Sequence, residues 1–178
     1  AEKSGAMQGS RIAMGALAVD ECARPQTTAE SLAAMAPGFA GLAAQYAEAL
    51  GGPVDHRHTI GHAPPVCDGA ALALVGSAAN GSAGPRARIV GYADAGGDPH
   101  ASLLAGFGAM EKVLARTGLT LADMDRIEFM EAFGVTIAKF LRDYTVDPAR
   151  VNVAGGHIAR GHPMGASGAR MRMPCACR

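Results

Sequence analysis

Residues 155–170 read Gly-Gly-His-Ile-Ala-Arg-Gly-His-Pro-Met-Gly-Ala-Ser-Gly-Ala-Arg, and this stretch decides how the rest of the chain is interpreted. It follows a short β-branched run at residues 151–153 and precedes a predicted helix start near Gly165, a pattern typical of a loop between a strand and a helix. Glycine permits tight turns, and Pro163 fixes the chain direction just after His162. An imidazole beside a helix N-terminus can act as a base or a hydrogen-bond donor near neutral pH. The pattern alone equally fits a glycine-rich turn with one solvated histidine.

The residues before this loop alternate between strand and helix patterns. Strands are predicted at residues 88–93, 126–130 and 151–153, and an amphipathic helix is predicted in each interval. The apolar stripes of the two helices are Leu103, Phe107, Met110 and Leu114, ending at Gly118, and Phe133, Ile137, Phe140 and Tyr144. This alternation predicts an α/β fold whose functional loops lie at the strand ends. Met130-Glu131 and His162 lie at such ends and could face one pocket.

The first half of the chain has weaker patterns. Thr27 and Glu30 fit a capping box before a short helix that Pro37 closes, and residues 41–50 form a second alanine-rich amphipathic stretch. Residues 68–75 have the length and apolarity of a buried strand, although their alanines would also suit a helix. The turn signals at residues 78–85 place the main domain boundary there.

Composition excludes several classes of function. The 178 residues carry 16 basic and 16 acidic side chains, which argues against a nucleic-acid surface or a basic membrane-binding face. The most apolar run, residues 69–76, is far shorter than the roughly 20 residues of a membrane span. No secretory signal is evident, so we expect a cytoplasmic protein whose four cysteines are reduced thiols. These are Cys22, Cys67, Cys175 and Cys177.

One histidine cluster invites a metal-binding interpretation. His56, His58 and His62 are spaced as His-x-His-x3-His within a loop rich in proline and histidine. Such a loop could hold a transition metal, but the spacing favours solvated loop histidines, and we expect no metal.

Several stretches together resemble the thiolase family, in particular its 3-ketoacyl-CoA (acetyl-CoA acyltransferase) branch. Residues 20–28 are similar to a family segment near the end of its loop domain, and residues 68–71 to its Asn-Asp-Gly-Ala-Ala strand. The most specific likeness is to the Asn-Glu-Ala-Phe and Gly-His-Pro blocks of the family. The residues that match them are Glu131-Ala132-Phe133, Asn152, Gly155-Gly156 and the run from Gly161 to Gly168.

The resemblance implies a partial, thiolase-like layered α/β fold, comprising part of an inserted loop domain and most of the C-terminal half. Residues 1–62 would be the loop-domain part, 63–85 the last strand of the N-terminal half with a linker, 86–170 the truncated C-terminal domain, and 171–178 an unrelated tail. It also implies a cysteine acyl-enzyme that cleaves 3-ketoacyl-CoA with coenzyme A as substrate, or runs the reverse condensation, with no metal or redox cofactor. Full-length members would be homo-oligomers.

The resemblance also assigns residues to the site. His162 matches the histidine that activates the nucleophilic cysteine, and Met130 and Glu131 lie in the oxyanion-hole region. The substrate-binding loops would include four further residues, Pro64, Gly161, Pro163 and Gly165.

The chain departs from the family pattern in four places. The nucleophilic cysteine belongs to the N-terminal half, and Cys22 and Cys67 do not lie in its motif. The family's final Cys-x-Gly-Gly block has no counterpart. Met130 replaces an Asn or His, and Pro64-Pro65 replaces a Ser-Gly pair. We therefore expect these 178 residues to be inactive alone; the alternative is a non-catalytic thiolase-like protein that binds acyl-CoA or lipid, or a structural subunit.

Overall fold

The computed structural model describes residues 12–17, 19–77, 79 and 87–170. The predictions for residues 1–11, for nearly all of the 78–85 turn and for the 171–178 tail with Cys175 and Cys177 lie outside the described residues. Within them, no helix is long and apolar enough to cross a membrane.

Short helices dominate the described part of the chain. The α-helices are α1 (Ala29–Ala33), α2 (Ala40–Ala44), α3 (Ala105–Thr117), α4 (Gly134–Asp143), α5 (His157–Arg160) and α6 (Ser167–Arg170). Single 3₁₀ turns lie at Ile60–His62, Pro99–Ala101, Leu121–Asp123, Pro148–Arg150 and Met164–Ala166.

The predicted capping box exists one residue later than expected. The Thr28 side chain, not that of Thr27, accepts a hydrogen bond from the Ser31 amide at 3.1 Å, and the Thr28 amide donates to Ser31 Oγ at 3.0 Å. The helix begins at Ala29, so the reciprocal partner three residues after the cap is Ser31 rather than Glu30.

The two predicted amphipathic helices, α3 and α4, form the core. Phe140 is fully buried, and its ring centroid lies 4.9 Å from that of Phe129 and 5.5 Å from that of Tyr144. Phe107, which is also buried, stacks on Tyr144 at 5.8 Å. Offset and tilted aromatic pairs at these distances stabilise a core beyond the area they bury. The cluster fixes α3 and α4 against the segment that contains Phe129.

The C-terminal end of α3 was predicted correctly, but the first residue of its predicted apolar stripe was not. Gly118 adopts a left-handed conformation with φ +69° and caps the helix, as expected of a glycine at that position. Leu103 lies before the first turn, has φ +72° and is about half exposed, so its place in the helical stripe was wrong.

The strand predictions are mostly not met within the described residues. Residues 68–75 and 88–93 have no regular secondary structure, and Leu72 is 96% exposed. A single parallel bridge, between Ile127 and Val151, represents the other two predicted strands. A strand needs a neighbouring backbone for its amides and carbonyls, and in the described part of the chain 68–75 and 88–93 pair with no other strand.

Candidate active site

The segments around Phe129 and Asn152 are joined by backbone and side-chain hydrogen bonds. The Ile127 amide donates to the Arg150 carbonyl at 2.9 Å, and the Asn152 amide donates to the Ile127 carbonyl at 2.8 Å. Beyond that bridge, hydrogen bonds from the Asn152 side chain take the place of backbone hydrogen bonds between the two segments. Its Oδ1 accepts from the Phe129 amide at 2.7 Å, and its Nδ2 donates to the Phe129 carbonyl at 3.0 Å. Asn152 has φ +47°, a conformation that asparagine tolerates better than most residues.

Glu131 extends this network toward the glycine loop. Its Oε1 accepts from Asn152 Nδ2 at 2.7 Å, and its Oε2 accepts from the Ile158 amide in the first turn of α5 at 3.0 Å. The Glu131 carboxylate occupies the space where a side chain on Gly156 would lie. Gly156 must therefore be glycine for the carboxylate to reach α5. The Glu-Ala-Phe block and the Gly-Gly pair, which the sequence shows separately, form one structural unit.

His162 follows α5 and is held from two sides. Its Nδ1 lies 2.7 Å from Oγ of Ser167, which is fully buried at the start of α6. Its backbone amide donates to the Pro65 carbonyl at 3.3 Å. The ring of His157, itself buried, meets the His162 ring edge to face at 5.1 Å. Rotation of the half-buried His162 imidazole is thus restricted, and its Nε2 is the ring nitrogen that Ser167 leaves available.

The remaining predicted site residues fall into two groups. Gly161 and Pro163 are buried on either side of His162, and Pro163 packs against Gly69 while Pro64 is half-buried in the facing segment. These residues form one substructure with His162. Gly165 lies outside it: it is exposed, and apart from its chain neighbours no residue has a heavy atom within 4 Å of the position that a Cβ would occupy.

Met130 lies beside Glu131 and is 45% exposed. Its thioether cannot donate a hydrogen bond. If the family uses this position to donate a hydrogen bond to an oxyanion, the Met130 side chain supplies no such donor.

Three features of the site were not assigned by sequence reasoning. The role of Ser167 as the partner of His162 Nδ1 has a sequence signal, a hydroxyl five residues after a histidine across a helix start. The one-turn helix α5 inside the glycine loop, which contains the buried His157, has no sequence signal, because four residues are too few to show a helical periodicity. The backbone-mimicking bonds of Asn152 depend on a distant segment.

Glu128 is a half-buried carboxylate beside this network. Burial raises the pKa of Glu128 above its usual value, the positive charge of Arg160 opposes that rise, and the nearby Glu131 carboxylate adds to it. Within the described residues, Glu128 Oε1 has no hydrogen-bond partner. The carboxylate borders a small cavity lined also by Gly155, Gly156 and His157.

The histidine cluster that invited a metal-binding interpretation packs as aromatic rings. The His58 ring lies 5.3 Å from that of His62 and 6.1 Å from that of Phe133. The Thr59 amide donates to His62 Nδ1 at 3.1 Å, and Thr59 Oγ1 lies 2.9 Å from the same nitrogen. Burial, and then the neighbouring His62, lower the pKa of His58. Among the described residues, no three His, Cys, Asp or Glu side chains form a group that could hold a metal ion.

Comparison with known proteins identifies the family. Residues 83–177 match the family model for the thiolase C-terminal domain. The chain is 40% identical over 170 residues to the 3-ketoacyl-CoA thiolase of Colwellia psychrerythraea, covering 89% of this chain and 40% of that protein. The crystal structure of human mitochondrial 3-ketoacyl-CoA thiolase superimposes with a TM-score of 0.63 at 31% identity, covering 86% of this chain and 36% of that one.

A second solved structure agrees. The acetyl-CoA acetyltransferase of Bacillus anthracis superimposes with a TM-score of 0.69 at 25% identity, covering 97% of this chain and 43% of that one. The fold is therefore the expected partial thiolase fold, and the chain spans about 40% of the length of the relatives it matches. The family model, the sequence identity and the two superpositions together show that this chain belongs to the thiolase family.

Proposed function

We propose that this chain carries the histidine-bearing part of a thiolase-type acyltransferase. The reaction is thiolytic cleavage of a 3-ketoacyl-CoA, or the reverse condensation, through a cysteine acyl-enzyme. Relatives at this level of similarity are named 3-ketoacyl-CoA thiolase and acetyl-CoA acetyltransferase. Because the chain spans only part of their length, the activity is proposed for the assembled fold and not for these residues alone.

The fixed position of His162 is the observation that carries this proposal. A thiol becomes an effective nucleophile only when a neighbouring base takes its proton. With Nδ1 held by Ser167 at 2.7 Å, His162 presents Nε2 as that base. The same nitrogen, once protonated, donates a hydrogen bond to the oxyanion formed when the thiolate attacks the keto carbon.

The nucleophilic cysteine, and the cysteine of the family's final Cys-x-Gly-Gly block, which moves the proton at the α-carbon, come from outside the described site. Neither Cys22 nor Cys67 lies in the family's nucleophile motif, so we assign the attacking thiol to an N-terminal thiolase half. The chemistry needs no metal or redox cofactor: the acyl group moves from the keto compound to the enzyme thiol and then to coenzyme A. We expect the full-length form to be a homo-oligomer.

A hybrid enzyme tests the proposal. In the Colwellia psychrerythraea thiolase, the segment that matches this chain is replaced by residues 12–170, and thiolysis of acetoacetyl-CoA is followed by loss of its enolate absorbance. We expect measurable thiolysis that falls about 10²–10⁴-fold in His162→Ala, the usual contribution of a general base. His100→Ala, which removes an exposed histidine outside the site, is the control and should leave the activity unchanged. A folded hybrid whose activity is unchanged by His162→Ala would refute the assignment.

A non-catalytic acyl-CoA- or lipid-binding thiolase-like protein is the second candidate, and Met130 is the observation that favours it. Restoring a donor with Met130→Asn in the hybrid should recover about 2.7–4 kcal/mol of transition-state stabilisation if the site is catalytic. If the folded hybrid binds acyl-CoA but neither it nor Met130→Asn turns it over, the binding role is correct and the catalytic role is not.

A further inference from the structure

Two cysteines that are 45 residues apart in sequence meet above the α-carbon of Gly161. The Sγ atoms of Cys22 and Cys67 both lie less than 3.0 Å from the point where a β-carbon on Gly161 would be. Since both distances are measured from one point, the two sulfurs are less than 6 Å apart. Both residues are thiols in this structure and both are half-buried.

Gly161 makes this meeting possible. It has φ +82° and is itself buried, and a side chain there would displace both sulfurs. A glycine at this position therefore does more than allow a turn before His162: it leaves space that two thiols from distant segments fill.

Solvent has a route to the pair. Cys22 and Cys67 line an open groove between residues 12–22 and residues 65–72, with Pro163 on its wall. A small thiol-reactive molecule can enter such a groove. A metal site fits less well, because within the described residues no third His, Cys, Asp or Glu completes a metal-binding group around the two thiols.

We propose that Cys22 and Cys67 form a redox modification site that a small-molecule disulfide of the glutathione type converts to an intramolecular disulfide. One cysteine thiolate attacks the small disulfide, breaking its S–S bond and releasing one thiol. The second cysteine then attacks the mixed disulfide and releases the other thiol. Two protein thiols are oxidised and one small disulfide is reduced to two thiols, so the exchange is balanced.

The bond would join segments on both sides of the His162 loop. Cys67 is two residues from Pro65, whose carbonyl accepts from the His162 amide at 3.3 Å, and Pro163 packs against Gly69. Cys22 belongs to the segment that closes the other side of the groove. Oxidation would thus tie together the chain that surrounds the histidine, independently of whether the proposed acyltransferase activity is correct.

The test measures the effective concentration of one thiol for the other. In a Cys175→Ser/Cys177→Ser background, the protein is equilibrated in a glutathione redox buffer, quenched with an alkylating agent and digested with trypsin. Cys22 and Cys67 then lie in separate peptides, residues 12–57 and 58–86, so the linked pair is identified by mass. The measurement is made in native buffer and in concentrated urea.

We expect the native effective concentration to exceed the value in urea by at least about tenfold, because the fold holds the two sulfurs together. Cys22→Ser and Cys67→Ser in the same background should each give a mixed disulfide with glutathione and no linked peptides. An effective concentration that is equal or lower in native buffer than in urea would overturn the proposal, since the fold would then not bring the thiols together.

Discussion

Two regions of this chain differ sharply in how completely they are packed. From residue 126 to residue 167, side chains from separate segments meet, and Phe140 and Ser167 are fully buried. From residue 66 to residue 77, by contrast, the apolar side chains face solvent, with Leu72 and Leu74 at least 95% exposed. In the first region, Asn152 and Glu131 form hydrogen bonds that join its separate segments. The second presents apolar surface and strand-like sequence: Cys67 and Gly69 contact the 161–163 loop, but the segment pairs with no strand among the described residues.

The difference indicates which properties belong to this chain and which depend on the rest of a thiolase fold. The placement of His162 rests on contacts within the chain. Residues 66–77 and 87–92 instead expose apolar surface of the kind that proteins usually cover with a neighbouring strand or a partner. On the proposed function, an N-terminal thiolase half would cover this surface.

The largest effect is expected where packing is most complete. Phe140→Ala should lower the free energy of unfolding by about 3–5 kcal/mol, because it leaves a cavity among Phe107, Phe129 and Tyr144. Urea denaturation followed by circular dichroism measures this. Leu141→Ala, at the neighbouring, 40% exposed position on α4, is the control and should cost much less. Equal losses for the two variants would show that the aromatic cluster is not the core.

The next effect concerns the contact between Glu131 and the glycine loop. Gly156→Ala should cost about 1–3 kcal/mol, because the new methyl group would overlap the Glu131 carboxylate. Gly168→Ala is the matched control, since no heavy atom lies within 4 Å of the point where its side chain would begin. A tolerated Gly156→Ala would mean that Glu131 does not bind the first turn of α5.

The helices of this chain were predicted from the sequence better than the strands. The spacing of Phe107, Phe140 and Tyr144 revealed α3 and α4, and Gly118 marked the end of α3, because a helix satisfies its hydrogen bonds locally. Strands satisfy theirs with distant neighbours. Residues 68–75 have the right composition for a strand and still form none among the described residues.

The candidate site was predictable in part for the same reason. His162 and Glu131 were predicted as site residues through their motifs, which are local in sequence. The bonds from Asn152 to Phe129 and the meeting of Cys22 with Cys67 over Gly161 depend on how distant segments are brought together, and no local spacing encodes them. The shift of the α1 cap from Thr27 to Thr28 reflects two adjacent threonines that compete for one position.

A smaller, pH-dependent effect should appear at Glu128. Because burial raises its pKa above the usual 4.5, the folded state disfavours the charged carboxylate, and stability is lost as pH rises through the folded-state pKa. Glu128→Gln should therefore increase stability at pH 7, by less than about 1 kcal/mol given the partial exposure, and give no gain below about pH 4.5. Thermal unfolding at both pH values measures this, with exposed Glu48→Gln as the control. A loss of stability at pH 7 would show that the attraction to Arg160 outweighs burial.

The smallest effect within the chain is expected in the exposed segment. Leu72→Ala should change the unfolding free energy by no more than about 0.5 kcal/mol, because its side chain has almost no contacts to lose. In the hybrid enzyme the same substitution should cost about 2–5 kcal/mol, since the N-terminal half would bury it. A small effect in both proteins would mean that this segment is not a strand of the assembled fold.

Hydrogen exchange measured segment by segment, in the chain alone and in the hybrid enzyme, tests the central claim most directly. We predict that amides around Phe129, Asn152 and α4 are protected in both proteins, while residues 66–77 and 87–92 exchange rapidly in the chain and become protected only in the hybrid. Equal protection of residues 66–77 in the two proteins, or rapid exchange throughout residues 126–167 in the chain alone, would contradict the account.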